Sequence, residues 1–138
     1  RGFKRDQAIW ASFVLETPNS KIYIGGDSGY DNHFKKIGEK YGKIDLAILE
    51  TGQYNPAWKY IHMLPGEQLQ AMKDLNAQRM IAVHNSKFKL ALHSWYEPME
   101  KLHELNKEKL RVITPKIGEK VFWQDDNKIY PKWWEEYK

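Results

Sequence analysis

The alternation of apolar and polar positions divides the chain into short strands and short helices. Trp10–Glu16 and Lys21–Gly25 are rich in β-branched and aromatic residues, which is typical of strands. The turn sequence Thr17–Ser20 lies between them, so the two strands are predicted to pair as an antiparallel hairpin. Ile44–Glu50 and Met80–Val83 are almost continuously apolar, as expected of strands that are covered on both faces.

Helical periodicity separates and follows these strands. Apolar residues recur at helical spacing in Asp31–Tyr41, in Pro65–Leu75 and in Pro98–Leu105. Two further short strands, Arg111–Thr114 and Lys120–Trp123, are predicted after the last helix. The order is mostly β-α-β-α, and no linker or repeat divides it. We therefore predict a single α/β domain over 1–138, with a mixed sheet and about three helices.

The composition is that of one compact domain, and it limits the partners. The 138 residues are 41% hydrophobic, and the formal charge of +4 is dispersed along the chain. No Arg-rich run or basic helix occurs, so nucleic acid is not an expected partner. The chain has no cysteine, so a metal site has to use His, Asp or Glu.

The sequence also bears on localisation. No apolar run approaches the roughly 20 residues that cross a bilayer, and no signal peptide is visible. These absences say little, and the compartment stays unknown, with a cytoplasmic location favoured. Membrane association stays open as an alternative, because targeting by an upstream segment would not be visible in this sequence.

Two candidate metal ligands follow predicted buried strands. In KIYIGGDSGY, Lys21–Tyr30, the apolar run ends in glycines around Asp27, and His84 follows Met80–Val83. Ligands bind beyond the carboxyl ends of strands in open α/β sheets, so both side chains are expected to face one cleft. A carboxylate and an imidazole suit Zn, Mn or Fe, and a carboxylate can bridge two ions. The alternative is that each is a turn or capping residue.

Four motifs in sequence order carry a more specific signal. They are GGDSGY (Gly25–Tyr30), DLAILETGQYNP (Asp45–Pro56), HMLPGEQLQAMKDL (His62–Leu75) and IAVHNSKFKLALHSWYEPMEKL (Ile81–Leu102). In this order they resemble the bacterial metal-dependent hydrolases related to N-acyl-phosphatidylethanolamine phospholipase D, a group of the metallo-β-lactamase superfamily. Four ordered motifs are far more specific than any one of them.

The resemblance implies a four-layer αββα sandwich with a dinuclear site at the sheet edge, usually of zinc, although Mn or Fe also suits the ligands. By this similarity Asp27 matches the aspartate that bridges the two ions, and His84 matches the last metal histidine. Both would then be catalytic residues as well as metal ligands. The residues after His84 lack the family's usual Trp and Gly, so the pocket wall is expected to differ.

The family's HxHxDH motif has no match in this chain. In the family, that motif and one further His supply most of the ligands, and they lie in the first half of the fold. We therefore expect the chain to be the C-terminal half of a metallo-β-lactamase-type αββα sandwich, with Arg1 just after the missing region. The missing N-terminal half would be its partner, and the chain alone would be inactive.

Two other histidines are candidates for substrate binding. His62 lies in an aromatic loop that the resemblance places near the active-site mouth, and ordinary loop packing is the alternative. His93 follows His84 by nine residues. It is a candidate for contact with the substrate or with a metal ligand, against a plain hydrogen bond to neighbouring backbone. His33 and His103 fall on predicted helices and receive no role.

Two functions are consistent with these features. The first is the C-terminal part of a dinuclear metal-dependent hydrolase acting on a small-molecule or lipid-like ester. The resemblance alone favours a phosphodiester or phospholipid-like ester over a lactone. The alternative is a non-catalytic binding or assembly module of the same fold, because a sheet without its covering layer is expected to self-associate. An HxHxDH motif upstream in the parent gene would separate the two.

Overall fold

Five short strands and three helices make up the described part of the chain. The computed structural model describes residues 10–138, so the expectation placed on Arg1 lies outside the described residues. The strands are β1 (Phe13–Glu16), β2 (Lys21–Ile24), β3 (Leu46–Glu50), β4 (Met80–Val83) and β5 (Val112–Ile113). The helices are α1 (His33–Tyr41), α2 (Glu67–Asp74) and α3 (Glu97–Leu105), and 3-10 turns occupy Pro56–Trp58 and Trp133–Tyr137.

The strands form one mixed sheet in the order β1-β2-β3-β4-β5. β1 and β2 form the predicted antiparallel hairpin, whereas β2 to β5 run parallel to one another. The helices lie in the connections between the parallel strands, because a chain that returns to the same end of a sheet needs a crossover. The predicted α/β class, the mixed sheet and the three helices are confirmed. No helix within residues 10–138 is long and apolar enough to cross a membrane.

One face of the sheet packs against the helices. Its residues form a paired row across the strands, which consists of Val14, Tyr23, Ala47, Met80 and Val112. Phe34 of α1, Met72 of α2 and Leu102 of α3 lie in the same core as this row. The core therefore sits between the sheet and a single layer of helices.

The opposite face is apolar and open near the hairpin. Its paired row also crosses all five strands, and it consists of Phe13, Ile24, Ile48, Ile81 and Ile113. Phe13 is 64% exposed and Ile24 37% exposed, whereas Ile113 is fully buried. The residues Phe13, Leu15, Ile24, Ile48 and Ile81 are called the open sheet face below.

Two local predictions are wrong. Lys120–Trp123 is not a strand; the backbone turns there, and the Asp125 N–H donates to the Phe122 carbonyl. Helix α2 begins at Glu67 rather than at Pro65, because Gly66 takes a left-handed conformation with φ 91°. The Glu67 carboxylate accepts the backbone N–H of Leu64 at 2.7 Å, and the Glu67 N–H donates to the Leu64 carbonyl, so reciprocal bonds close the turn before the helix.

Candidate active site

Three polar side chains meet where parallel strands end. Asp27 lies three residues beyond β2, Glu50 is the last residue of β3, and His84 follows β4 directly. These strands are parallel, so their carboxyl ends share one edge of the sheet. The expectation that Asp27 and His84 face one cleft follows from this arrangement, and the structure brings them together.

Two close backbone contacts at this edge leave no room for a side chain. A Cβ atom at Gly52 would lie 2.6 Å from the carbonyl oxygen of His84, and one at Gly29 would lie 2.2 Å from the carbonyl oxygen of Lys59. His84 itself has a φ of 61°, in the left-handed region that few non-glycine residues adopt. Such strain clusters at functional sites, because the surrounding packing has to hold it.

Asp27, His62 and His84 form one group of metal-ligating side chains. The Asp27 Oδ1 and His84 Nε2 atoms are 3.8 Å apart. One donor atom from each of the three residues lies within 4.8 Å of the others. The imidazoles of His62 and His84 stack, with ring centres 5.4 Å apart and planes inclined by 20°. This is the one such group in the part of the chain that the structure describes.

The Asp27–His84 pair of this group lies close to the spacing of two donors on one metal ion. Two donors on one zinc ion, each at about 2.1 Å, lie roughly 3.4 Å apart in a tetrahedral site. The Asp27–His84 separation exceeds this value by a few tenths of an ångström, which small side-chain rotations would remove. One carboxylate and two imidazoles are donors that zinc, iron and manganese accept.

Burial distinguishes His62 from the other two members of the group. His84 and Asp27 have about half of their side-chain surface exposed, at 42% and 49%, whereas His62 keeps only 9%. Burial lowers the pKa of His62, against the opposing attraction of Asp27. The imidazole is therefore neutral at neutral pH, with one nitrogen that donates and one that accepts.

Glu50 lies directly behind His62. Its side chain is 2% exposed, and its Oε2 atom is 3.6 Å from His62 Nδ1. Its Oε1 atom accepts the backbone N–H of Met63 at 2.5 Å, and Oε2 accepts that of Gly52 at 3.5 Å. Desolvation raises the pKa of Glu50 to about 8, and the two backbone donors only partly oppose this shift.

A groove of about 470 Å³ opens beside His84. Phe88, Leu90 and Ile117 give it apolar walls, and Lys87 contributes a positive charge. The side chain of Gln53 fixes the loop that carries these residues: it donates to the Phe88 carbonyl and accepts the N–H groups of Leu90 and Ala91. The groove therefore has a fixed base and an exposed rim.

His93 lies near this loop but outside the group of metal-ligating side chains. Its Nδ1 atom is 2.8 Å from the Ser94 carbonyl oxygen, which can only accept, so Nδ1 carries the hydrogen. Its ring packs against Tyr54 at 4.3 Å, and its buried Nε2 has no hydrogen-bond partner among the described residues. Tyr54 in turn donates to the Glu97 carboxylate at 2.5 Å.

Sequence reasoning missed two residues that shape this site. Glu50 ends an apolar strand at the same edge as Asp27 and His84, and the rule that selects those two residues also selects it. Gln53 gives no comparable signal, because its role depends on reaching backbone 35 to 38 residues further along the chain. The sequence makes His62 a candidate because it lies in an aromatic loop. Its position beside His84 depends on the tertiary fold, which the loop sequence does not show.

Comparisons with known proteins identify the family of the chain. A family model described as the beta-lactamase superfamily domain matches residues 1–85. The chain is 56% identical over 84 residues to the outer membrane protein RomA of Klebsiella pneumoniae, a match covering 61% of this chain and 64% of that protein. It is 37% identical over 101 residues to the N-acyl-phosphatidylethanolamine-hydrolyzing phospholipase D 1 of Caenorhabditis elegans, covering 70% and 28%.

A solved structure shares the fold. It is Igni18, a novel metallo hydrolase from the hyperthermophilic archaeon Ignicoccus hospitalis, with a TM-score of 0.66 and 22% identity. The match covers 85% of this chain and 47% of that one. The chain thus spans less than two thirds of the length of each of these proteins.

Proposed function

The chain belongs to the metallo-β-lactamase superfamily, and from this premise we propose that it forms part of a metal-dependent hydrolase. The observation that carries the proposal is the convergence of Asp27 and His84 at the carboxyl edge of the sheet, 3.8 Å apart. A carboxylate and an imidazole that meet in an open cleft are a donor set for hydrolytic metals.

Asp27 and His84 would hold the metal, with zinc favoured and Mn or Fe as alternatives. Asp27 has two oxygens and is the candidate for bridging two ions. The relatives that match are longer than this chain, and the remaining ligands of a two-ion centre would come from an N-terminal half of the parent protein. When bound, the metal supplies a hydroxide near neutral pH and polarises the ester oxygen. The chain alone is then expected to be inactive.

His62 is the chain's own candidate for contact with the substrate. It lies beside His84 at the site, and its lowered pKa keeps the ring neutral at neutral pH. A neutral imidazole offers one nitrogen to a substrate oxygen and keeps the other for the protein. His93 is a weaker candidate, because its Nδ1 is already bonded to the Ser94 carbonyl.

The groove beside His84 supports a phosphodiester or phospholipid-like ester over a lactone as the substrate. An ammonium group at Lys87 suits an anionic headgroup, and the walls formed by Phe88, Leu90 and Ile117 suit an attached apolar chain. A small polar lactone would leave these apolar walls uncovered. Relatives of both kinds match the chain, a phospholipase D of Caenorhabditis elegans and a probable L-ascorbate-6-phosphate lactonase of Shigella boydii, so the preference rests on the groove.

A non-catalytic binding or assembly module is the second candidate function. The open sheet face favours it, since Phe13, Leu15 and Ile24 expose 64%, 49% and 37% of their surface. Exposed apolar patches of this kind mark interaction sites. The open sheet face would be covered by the N-terminal half of the same fold or by a second copy of the chain.

The proposal is tested by hydrolysis of bis(p-nitrophenyl) phosphate by the parent protein. Asp27→Ala is expected to abolish activity, because a bridging ligand contacts both ions. His93→Ala is expected to lower activity by about 10–100-fold, as for residues that act through a metal ligand or the substrate. Asp31→Ala, an exposed carboxylate four residues further along, serves as the matched control and keeps full activity. Full activity in Asp27→Ala would refute the metal site.

A further inference from the structure

Glu50 is a buried carboxylate for which the proposed hydrolysis has no use. It is 2% exposed, and a carboxylate removed from water without a cationic partner is costly. The backbone N–H groups of Met63 and Gly52 account for part of its environment. A glutamine would serve the shorter of these two bonds equally well, so the backbone contacts alone do not explain a carboxylate here.

The neighbour for which a carboxylate and an amide would differ at this position is His62. Its Nδ1 atom is buried and has no hydrogen-bond partner among the described residues. The nearest acceptor is Glu50 Oε2, at 3.6 Å. This is a few tenths of an ångström beyond a hydrogen bond, and such contacts tighten when a site binds its ligands.

We propose that Glu50 is a positioning residue, which holds His62 through Nδ1–H and so presents the unprotonated Nε2 to the cleft that contains Asp27 and His84. Above its pKa of about 8 Glu50 is ionised and can only accept, so it takes the His62 Nδ1–H alongside the backbone N–H groups, and the hydrogen sits on Nδ1. Carboxylates commonly fix the tautomer of an active-site imidazole in this way. The catalytic consequence rests on the proposed function, whereas the tautomer does not.

The tautomer is tested by long-range ¹⁵N–¹H NMR of the His62 ring in this chain without added metal, at about pH 9, where Glu50 is ionised. The wild-type protein is expected to carry the hydrogen on Nδ1. In Glu50→Gln the side-chain oxygen stays with the Met63 N–H, so the amide donates to His62 and the hydrogen moves to Nε2. Glu67→Gln is the matched control, because that carboxylate also accepts a nearby backbone N–H but does not face His62.

Activity of the parent protein provides the second readout. Glu50→Gln is expected to lower kcat/KM for bis(p-nitrophenyl) phosphate by about 10–100-fold with its metal content unchanged, and Glu67→Gln to change neither. If the Glu50→Gln protein does not fold, Glu50→Asp decides, since it is expected to keep the hydrogen on Nδ1. A wild-type ring protonated on Nε2, or a tautomer that Glu50→Gln leaves unchanged, would overturn the role of Glu50. If the parent protein had no hydrolytic activity, the proposed function would be refuted. The role of Glu50 in fixing the His62 tautomer would still be decided by the NMR result.

Discussion

At the scale of single residues, the site depends on backbone positions that restrict which side chain can be present. Gly52 lies against the carbonyl of His84, and His84 has a left-handed φ of 61°. The two residues end neighbouring strands, so the direction of the His84 side chain depends on how closely these ends approach. Gly29 plays the same part for the loop that leads to His62, because it lies against the carbonyl of Lys59.

Gly52→Ala is therefore expected to displace His84 and to weaken metal binding. The added Cβ would meet the His84 carbonyl at 2.6 Å, so one strand end has to move. We expect a loss of about 1–3 kcal/mol in the free energy of unfolding, measured by urea denaturation. Gly26→Ala is a milder comparison, since its Cβ would approach one carbonyl at 3.0 Å. An equal effect of the two substitutions on metal affinity would contradict the role given to Gly52.

Part of the site could be predicted from the sequence at this scale. Asp27 and His84 follow apolar strands, and the topology of parallel sheets brings such residues to one edge. Glu50 satisfies the same rule, yet a polar residue that ends an apolar run is most often a plain strand end. The contact between Glu50 and His62 spans eleven intervening residues whose path depends on tertiary packing, and local sequence patterns do not determine that path.

At the scale of elements, periodicity predicted the strands and helices where burial is one-sided or complete. β3 is buried along most of its length, and α1 presents Phe34 to the core and lysines to solvent. The predicted strand at Lys120–Trp123 is wrong, because this short apolar run leads into a turn. The C-terminal Trp134 is fully buried against the helices, a contact that depends on the position of α3 rather than on local pattern.

The packing of α3 against the C-terminal 3-10 turn predicts a pH dependence of stability. His103 of α3 lies 5.2 Å from the Trp134 ring, and burial lowers its pKa, aided by Lys132 and opposed by Glu135. In the unfolded chain His103 takes up a proton near pH 6.5, whereas in the folded chain it does so only at lower pH. The contribution of His103 to the free energy of unfolding therefore falls as pH drops below about 6.5.

Thermal unfolding of the wild-type protein and His103→Gln tests this dependence. Between about pH 7.5 and pH 5.5 the melting temperature of the wild-type protein is expected to fall further than that of the variant. The comparison isolates His103, because the two proteins share every other ionisable group. Parallel pH profiles of the two proteins would show that His103 is not responsible.

At the scale of the whole molecule, the sheet has one packed face and one open face. The helices cover the row that contains Tyr23 and Ala47, whereas the open sheet face keeps Phe13 and Ile24 in contact with water. Leaving apolar surface wet costs about 25 cal/mol per Å². The C-terminal 3-10 turn packs against α3 through Trp134, so this turn lies on the side of the sheet that the helices cover.

The chain alone is therefore expected to self-associate at micromolar concentration through the open sheet face. Phe13→Lys together with Ile24→Lys should return it to a monomer, because two charges on this face oppose the contact between copies. Leu92→Lys is the matched control: Leu92 is 86% exposed but lies in the loop after β4 and is not a strand residue of that face, so association should persist. Light scattering measures the outcome. A wild-type chain that stays monomeric would contradict the expectation.

The central claim is that Asp27 and His84 hold the metal of a hydrolase, and metal content tests it most directly. The parent protein, its Asp27→Asn and His84→Gln variants, and the His103→Gln control would be purified alike and their bound metal measured by mass spectrometry. We expect the wild-type protein and the control to carry the same amount of metal, and each site variant to lose at least one ion per chain. Full metal content in both Asp27→Asn and His84→Gln would contradict the claim.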